Sequence, residues 1–196
     1  YVILPILMIG VLYFYTARDM SAIQDTTAEP DVTIEVVGKR WSWDFNYLDE
    51  DVYSSGQHII DVGAPGNPDK LPVLYLPVDQ RVEIRLEARD VIHSFWVPAF
   101  LYKMDMIPGQ TNDMQIVPER EGVYAGKCAE LCGAGHRAML FDVQAKSPAD
   151  FDAWLAAKIE GANASPPPPS GEPGASGEPP ASAPPWWSPP HRPRRP

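Results

Sequence analysis

The stretch KCAELCGAGHRAML, residues 127–140, holds Cys128, Cys132, His136 and Met139, and the chain has no other cysteine. Two thiols, an imidazole and a thioether at this spacing are soft ligands, and three chemistries compete for them. A disulfide suits an even cysteine count in an oxidising compartment. Closing so short a loop constrains little chain entropy, however, and it leaves His136 and Met139 without a part. Structural zinc needs four Cys or His ligands; Cys128, Cys132, His136 and one more histidine would meet that count, but methionine is a poor zinc ligand. Thiolate, thioether and imidazole together select copper. A mononuclear blue-copper centre uses one cysteine, two histidines and a weak axial methionine, so two cysteines are one too many. Two thiolates can instead bridge two coppers, each metal adding one histidine and one weak ligand. That arrangement asks for a second histidine from a distant segment.

The chain offers four histidines. His191 lies in a proline-rich tail, and His58 opens an apolar run with no sulfur near it in sequence. His93, in RDVIHSFWVP, follows a strongly alternating stretch and precedes Pro98, so it is placed where a strand gives way to a loop. A lone histidine at such a place is more often structural. The cysteine cluster is what makes His93 the candidate second ligand.

Positioning such ligands takes a rigid frame, and from residue 32 the sequence reads as strands. VTIEVV alternates, and Trp41, Trp43, Phe45 and Tyr47 then alternate with Ser42, Asp44 and Asn46. Val82, Ile84, Leu86 and Ala88 face one way and Glu83, Arg85, Glu87 and Arg89 the other, the pattern of a half-buried antiparallel strand. Further runs at HIIDV, LPVLYL, MQIVP, VYAGKC and MLFDVQA are separated by GAPGNPDK, IPGQTND and PEREG. The fold class is mainly β, as a sandwich or a small Greek-key barrel. One helix closes it. Ser147 suits its N-cap, Pro148 its first position and Gly161 its stop, with Phe151, Trp154, Leu155 and Ile159 on one face for packing.

The two ends differ from this body. YVILPILMIGVLYFY carries no charge before Arg18 and reads as a membrane helix over residues 1–18; opening on Tyr1, the chain is expected to begin partway into that helix. A basic n-region and a cleavage site are absent from it. The linker 19–31 bears Asp19, Asp25, Glu29 and Asp31 and no basic residue, so by the positive-inside rule the domain at 32–161 faces away from the cytoplasm. Residues 162–196 hold 13 of the 23 prolines and are expected to be disordered. The net charge is −10, and the tail's two glutamates and three arginines leave −11 on the rest. An acidic body argues against nucleic acid and suits a basic protein partner.

His93 followed downstream by C-x3-C-x3-H-x2-M resembles the binuclear copper (CuA) motif of cytochrome c oxidase subunit II. GKRWSWDFNY, DVIHSFWVP, KMDMIPG and the AEL between the cysteines are similar to that family too. C-x3-C alone is a weak signal, whereas these side chains in this order on a β domain are specific. The resemblance implies a cupredoxin-like sandwich behind a membrane helix. It implies Cys128 and Cys132 as bridging thiolates and His93 and His136 as one ligand for each copper. Met139 and the backbone carbonyl of Glu130 are then the weak ligands, and the Glu130 carboxylate reaches a magnesium ion at the boundary with subunit I.

The activity implied is electron transfer within a proton-pumping oxidase of the bacterial plasma membrane. Electrons enter from a cytochrome c, or a cytochrome c subunit of a larger assembly, through Trp41. They leave for a haem of subunit I, where oxygen is reduced to water. Asp49, Glu50, Asp51 and Asp90 are the candidate docking acids for the basic donor, beside Trp41 in the motif; complementary charge there raises the encounter rate more than the affinity. With no C-x-x-C-H in the chain, the donor haem belongs to another protein. Two other readings stand: a CuA-bearing subunit of a nitric oxide reductase, and an anchored structural module whose cysteines hold zinc or a disulfide.

Overall fold

The computed structural model describes residues 1–55 and 71–164. The run at HIIDV with His58, and the tail from 165 onward with His191, lie outside the described residues. The chain divides into Tyr1–Ala162 and Asn163–Pro196, and the account below concerns the first.

Among the described residues, alternation of apolar and polar residues produces ten strands in two five-stranded sheets. The first sheet holds β1 (Val32–Lys39), β2 (Ser42–Tyr47), β3 (Val52–Ser55), β5 (Val82–Ala88) and β8 (Asn112–Ile116), in the order β3-β2-β1-β5-β8. The second holds β4 (Val73–Pro77), β6 (His93–Val97), β7 (Tyr102–Met106), β9 (Gly122–Cys128) and β10 (Leu140–Lys146), in the order β4-β10-β9-β6-β7. The mainly β, sandwich expectation holds. The antiparallel expectation for Val82–Ala88 needs correction: β5 pairs β8 antiparallel but β1 parallel, and β4 pairs β10 parallel, so both sheets are mixed. A two-residue period reports which face is buried, not which way the neighbours run.

Val32, Ile34 and Val36 of β1, Val82, Ile84 and Leu86 of β5, and Phe95, Phe141 and Val143 from the other sheet meet between the layers, all buried. Phe141 is the hub. Its ring stacks on Phe95 with centroids 5.1 Å apart and meets Trp43 at 4.9 Å and Phe45 at 5.8 Å, so it joins both sheets. Gly126 makes room for it, since a Cβ there would lie 2.2 Å from the Phe141 ring. Two residues of the polar face of β2 are not solvated. Ser42 and Asp44 are fully buried, and Asp44 accepts from the Lys39 ammonium over 2.7 Å.

The closing helix α2 spans Pro148–Ala164. Ser147 caps it as expected: its Oγ accepts the Asp150 backbone N–H at 3.2 Å and donates to the Asp150 carboxylate at 2.8 Å. Phe151 and Leu155 are buried and Trp154 stacks on Tyr75 at 4.3 Å, but Ile159 is 36% exposed and lies off the packed stripe. The helix runs through Gly161 rather than stopping there. Glycine permits a C-terminal stop without enforcing one.

At the other end α1 spans Ile3–Ile23, five residues beyond the expected boundary at 18. None of its residues is buried, and its 21 residues make it long and apolar enough to cross a membrane. The helix continues past Arg18 and Asp19, whose exposed side chains pair at 2.9 Å.

Candidate metal centre

Three segments converge at one pole of the sandwich. His93 is the first residue of β6, fully buried, rather than lying in a loop after a strand. Cys128 is the last residue of β9, and Met139 immediately precedes β10. Between them the loop folds back through a short 3-10 turn, His136–Ala138. Backbone bonds fix the loop: Cys128 N–H to Met139 O at 3.0 Å, Ala129 N–H to Ser94 O at 3.0 Å and His136 N–H to Gly133 O at 3.1 Å. Gly133, at φ +117°, takes a conformation that side-chain-bearing residues rarely adopt.

The donor atoms then fall into a compact ring. Cys128 Sγ and Cys132 Sγ are 3.8 Å apart. Cys128 Sγ lies 3.8 Å from His93 Nδ1 and 3.2 Å from the Glu130 carbonyl oxygen. Cys132 Sγ lies 3.6 Å from His136 Nδ1 and 3.8 Å from Met139 Sδ. Each sulfur therefore has its own imidazole and its own weak donor. A disulfide has its sulfurs about 2.05 Å apart, so these thiols are unbonded. The ligand atoms of His93, Cys128 and Cys132 all lie within 4.8 Å of one another, so the three can hold a metal ion. Two thiols flanked by two imidazoles also suit a pair of soft metal ions with the sulfurs between them.

Electrostatics prepare one thiol for a metal. Burial alone would raise the Cys128 thiol, but bonds from His93, at the Glu130 and Ser94 backbone and from His136 outweigh it and bring it down to about 6. Cys132 is pushed up to about 12, by burial first and by the neighbouring Cys128 charge second. Burial would lower the His93 imidazole, yet its bonds to Cys128 and Asp90 raise it.

Asp90, first read as a docking acid, has a second partner. Its Oδ1 stands 2.9 Å from His93 Nε2, and its Oδ2 accepts the Arg40 backbone N–H at 2.8 Å. A carboxylate on the outer nitrogen fixes which nitrogen of a ligating histidine faces the metal. The D-x-x-H spacing of Asp90 and His93 was the available signal in the sequence. Burial would raise Asp90, but His93 and the Arg40 and Val91 N–H groups hold it below its ordinary value.

Trp41 is half-buried against the loop that carries Cys132. Its indole N–H donates to the Cys132 carbonyl at 3.1 Å, and Cβ atoms built on Gly133 and Gly135 would approach its ring to 3.1 and 2.4 Å. Asp49, Glu50 and Asp51 are not beside it. Trp41 precedes β2 and Asp49 lies in the turn beyond its far end, with the strand itself, about 17 Å long at roughly 3.3 Å per residue, between them. Asp49 there accepts the Thr33 backbone N–H at 3.0 Å, Glu50 is half-buried and Asp51 sits at φ 54° in the turn. The Glu130 side chain is exposed next to Leu131, which is 77% exposed. Gly38 and Arg40, which touch His93 and Asp90, escaped the sequence reading because a glycine and a backbone N–H carry no ligand signature.

Comparison with known proteins agrees with this geometry. Residues 32–146 match the family model described as cytochrome c oxidase subunit II, periplasmic domain. The protein of Streptomyces avermitilis named "Probable cytochrome c oxidase subunit 2" is 42% identical over 183 residues, covering 79% of this chain and 57% of that one. The cytochrome c oxidase subunit 2 of Alkalihalophilus pseudofirmus is 34% identical over 166 residues, covering 81% of this chain and 44% of that one. The chain thus spans about half the length of these relatives. Among solved structures, the periplasmic domain of subunit II of cytochrome oxidase (CoxB) of Bradyrhizobium japonicum superposes with a TM-score of 0.61 at 28% identity, over 69% of this chain and 99% of that one. Subunit II in a mixed disulfide intermediate with a thioredoxin-like protein superposes with a TM-score of 0.57 at 26% identity, over 70% of this chain and 98% of the other. With its cupredoxin-like sandwich, its apolar N-terminal helix and its cysteine–histidine cluster, the chain belongs to the cytochrome c oxidase subunit II family.

Proposed function

We propose that this chain is the electron-transfer subunit of a respiratory cytochrome c oxidase and that its cluster holds a binuclear copper centre of the CuA type. The observation that carries the reading is the pair of free sulfurs 3.8 Å apart, each with an imidazole within 3.8 Å. Cys128 and Cys132 would bridge the metals, and His93 and His136 would each ligate one. Met139 and the Glu130 carbonyl would be the weak ligands. A copper pair sharing one unpaired electron across two sulfurs accepts and passes on single electrons with little nuclear movement. The chain's own part is to hold the ligands still, and the buried strand ends and the pinned loop do that.

Electrons would enter through Trp41, whose indole N–H reaches the Cys132 carbonyl, from a cytochrome c or a cytochrome c subunit of a supercomplex. They would pass to a haem of subunit I, where oxygen is reduced to water with proton pumping. The exposed Glu130 carboxylate would serve a magnesium ion at the boundary with subunit I. Asp49, Glu50 and Asp51 would meet the donor only if its footprint spans the length of β2, which an interface of roughly 800 Å² per partner can do. The helix Ile3–Ile23 would hold the subunit in the bilayer of a bacterial plasma membrane, with the β domain on the extracytoplasmic side. The related subunit II captured with a thioredoxin-like protein favours a further partner, a dithiol protein that keeps Cys128 and Cys132 reduced for metal loading.

The test uses the full chain in detergent, reconstituted with copper, with Cys132→Ser as the control. Two coppers per chain sharing one electron, by metal analysis and electron paramagnetic resonance, with loss of that spectrum in the variant, is the expected result. Zinc in place of copper, or no metal, refutes the reading and leaves the anchored structural module.

A further inference from the structure

The hairpin end Gly38–Trp41, the last two residues of β1 with the turn into β2 (the Gly38–Trp41 turn), supplies no donor atom, yet it touches both ligand-bearing segments. On one side it is tied to the segment leading into His93. The Gly38 carbonyl accepts the Arg89 N–H at 2.9 Å, and the Arg40 N–H donates to Asp90 at 2.8 Å. Asp90 in turn holds His93 Nε2 at 2.9 Å. A Cβ built on Gly38 would lie 3.2 Å from Cβ, Cγ and Cδ2 of His93, so the imidazole rests directly on the glycine backbone. On the other side Trp41 bonds the Cys132 carbonyl at 3.1 Å and lies over Gly133 and Gly135. The next inward residue of β2, Trp43, points its N–H at the Met139 carbonyl over 3.4 Å.

The two segments also meet directly, through the Phe95–Cys128 strand pairing and the Ala129 N–H to Ser94 O bond, and the turn adds a second, braced tie between them. Lys39 pairs with Ser42 across the hairpin, and the Lys39 ammonium bonds the fully buried Asp44 at 2.7 Å. A braced turn in contact with His93 on one flank and the 132–135 loop on the other limits how the imidazole and the loop can shift relative to each other. Outer groups of this kind orient ligands and tune the metal they hold.

We infer that the Gly38–Trp41 turn is the positioning element of the metal centre and that Gly38 sets the plane and distance of the His93 imidazole. The inference rests on the copper reading proposed above. Gly38 is a positioning residue: it offers no ligand and acts only through His93. Its strand conformation accepts alanine, and no positive φ is involved. The added methyl therefore has one consequence, a push of a few tenths of an ångström on the ring.

The experiment compares wild type, Gly38→Ala and Gly161→Ala as full chains in detergent, loaded with copper. The Gly161→Ala control adds a methyl that meets nothing within 4 Å. Gly38→Ala is expected to keep its far-ultraviolet dichroism and its copper count. It is expected to show altered copper hyperfine splitting, a shifted reduction potential and copper loss to a chelator about 10-fold faster or more. Gly161→Ala should match wild type in all of these. A Gly38→Ala protein with wild-type spectrum, potential and release rate overturns the inference. Should Gly38→Ala fail to fold, Trp41→Phe removes the N–H bond to the Cys132 carbonyl and part of the ring packed over Gly133 and Gly135, and copper release at the wild-type rate in that variant overturns it equally. Wild type that binds no copper pair refutes the copper reading and this inference with it; a loaded wild type with unchanged variants refutes this inference alone.

Discussion

Trp41 and Cys132, 91 positions apart in sequence, are joined by one hydrogen bond of 3.1 Å from the indole N–H to the backbone carbonyl. The bond places a half-buried aromatic ring on the backbone of the residue that bears the Cys132 thiol. It gives the proposed electron path a continuous run of bonded atoms from the surface into the cluster.

Trp41→Phe keeps an aromatic ring but loses that bond and part of the indole's packing over Gly133 and Gly135. Electron transfer from a cytochrome c to the copper-loaded protein, followed by stopped-flow absorbance, should slow by roughly 10-fold or more, an effect of about 1.4 kcal/mol on the barrier. A rate equal to wild type would remove Trp41 from the path.

The two cysteines should titrate far apart in the metal-free protein. Burial opposes ionisation of both, but the bonds around Cys128 bring it to about 6, while burial and the Cys128 charge send Cys132 to about 12. Thiolate absorbance near 240 nm (an approximate wavelength, from the general chemistry of thiols) should rise with a midpoint near pH 6 and account for one cysteine between pH 5 and 9. A single step for both near the unperturbed value of about 8.5 would contradict the geometry.

Asp90 is held below its ordinary carboxylate value, against the opposing effect of burial, by His93 and by the Arg40 and Val91 N–H groups. A depressed folded pKa means stability that is complete above the unfolded value of 3.8 and lost as pH falls through the folded one. Asp90→Asn should therefore lose stability relative to wild type at neutral pH, and the gap should close on acidification below pH 3.8. Denaturant melts at a series of pH values measure this; a gap independent of pH would place the Asp90 contribution elsewhere.

Phe141 joins the two sheets, so Phe141→Ala should cost about 3–5 kcal/mol, read as a fall in the urea midpoint. Gly126→Ala should be damaging for the complementary reason, since its methyl would lie 2.2 Å from the same ring. Loss of stability in Phe141→Ala alone, with Gly126→Ala neutral, would mean that the ring shifts freely, contrary to its close stacking on Phe95.

Much of this molecule was legible in its residues. The alternation at 32–47 and 82–88 identifies strands because burial of one face follows directly from a two-residue period. Ser147 and Pro148 mark the start of α2 because an N-cap is a local bond between neighbours. The cysteine–histidine–methionine spacing marks a soft metal site because ligand chemistry belongs to the residue types themselves. All three signals act over a few residues, so linear order contains them.

What the sequence by itself determined, then, is a mainly β domain behind an apolar helix, with one candidate metal loop and a distant histidine to complete it. Only the tertiary structure decided that β1 and β5 run parallel, that Asp90 serves His93 and that Asp49–Asp51 lie a strand's length from Trp41. It alone also brought the Gly38–Trp41 turn against both halves of the centre. The strand pairing and the turn's contacts join residues tens of positions apart, and the other two relations, though closer in sequence, depend on how the chain turns between the residues. A periodic pattern says which side of a strand is buried; it does not say what the other layer brings to meet it.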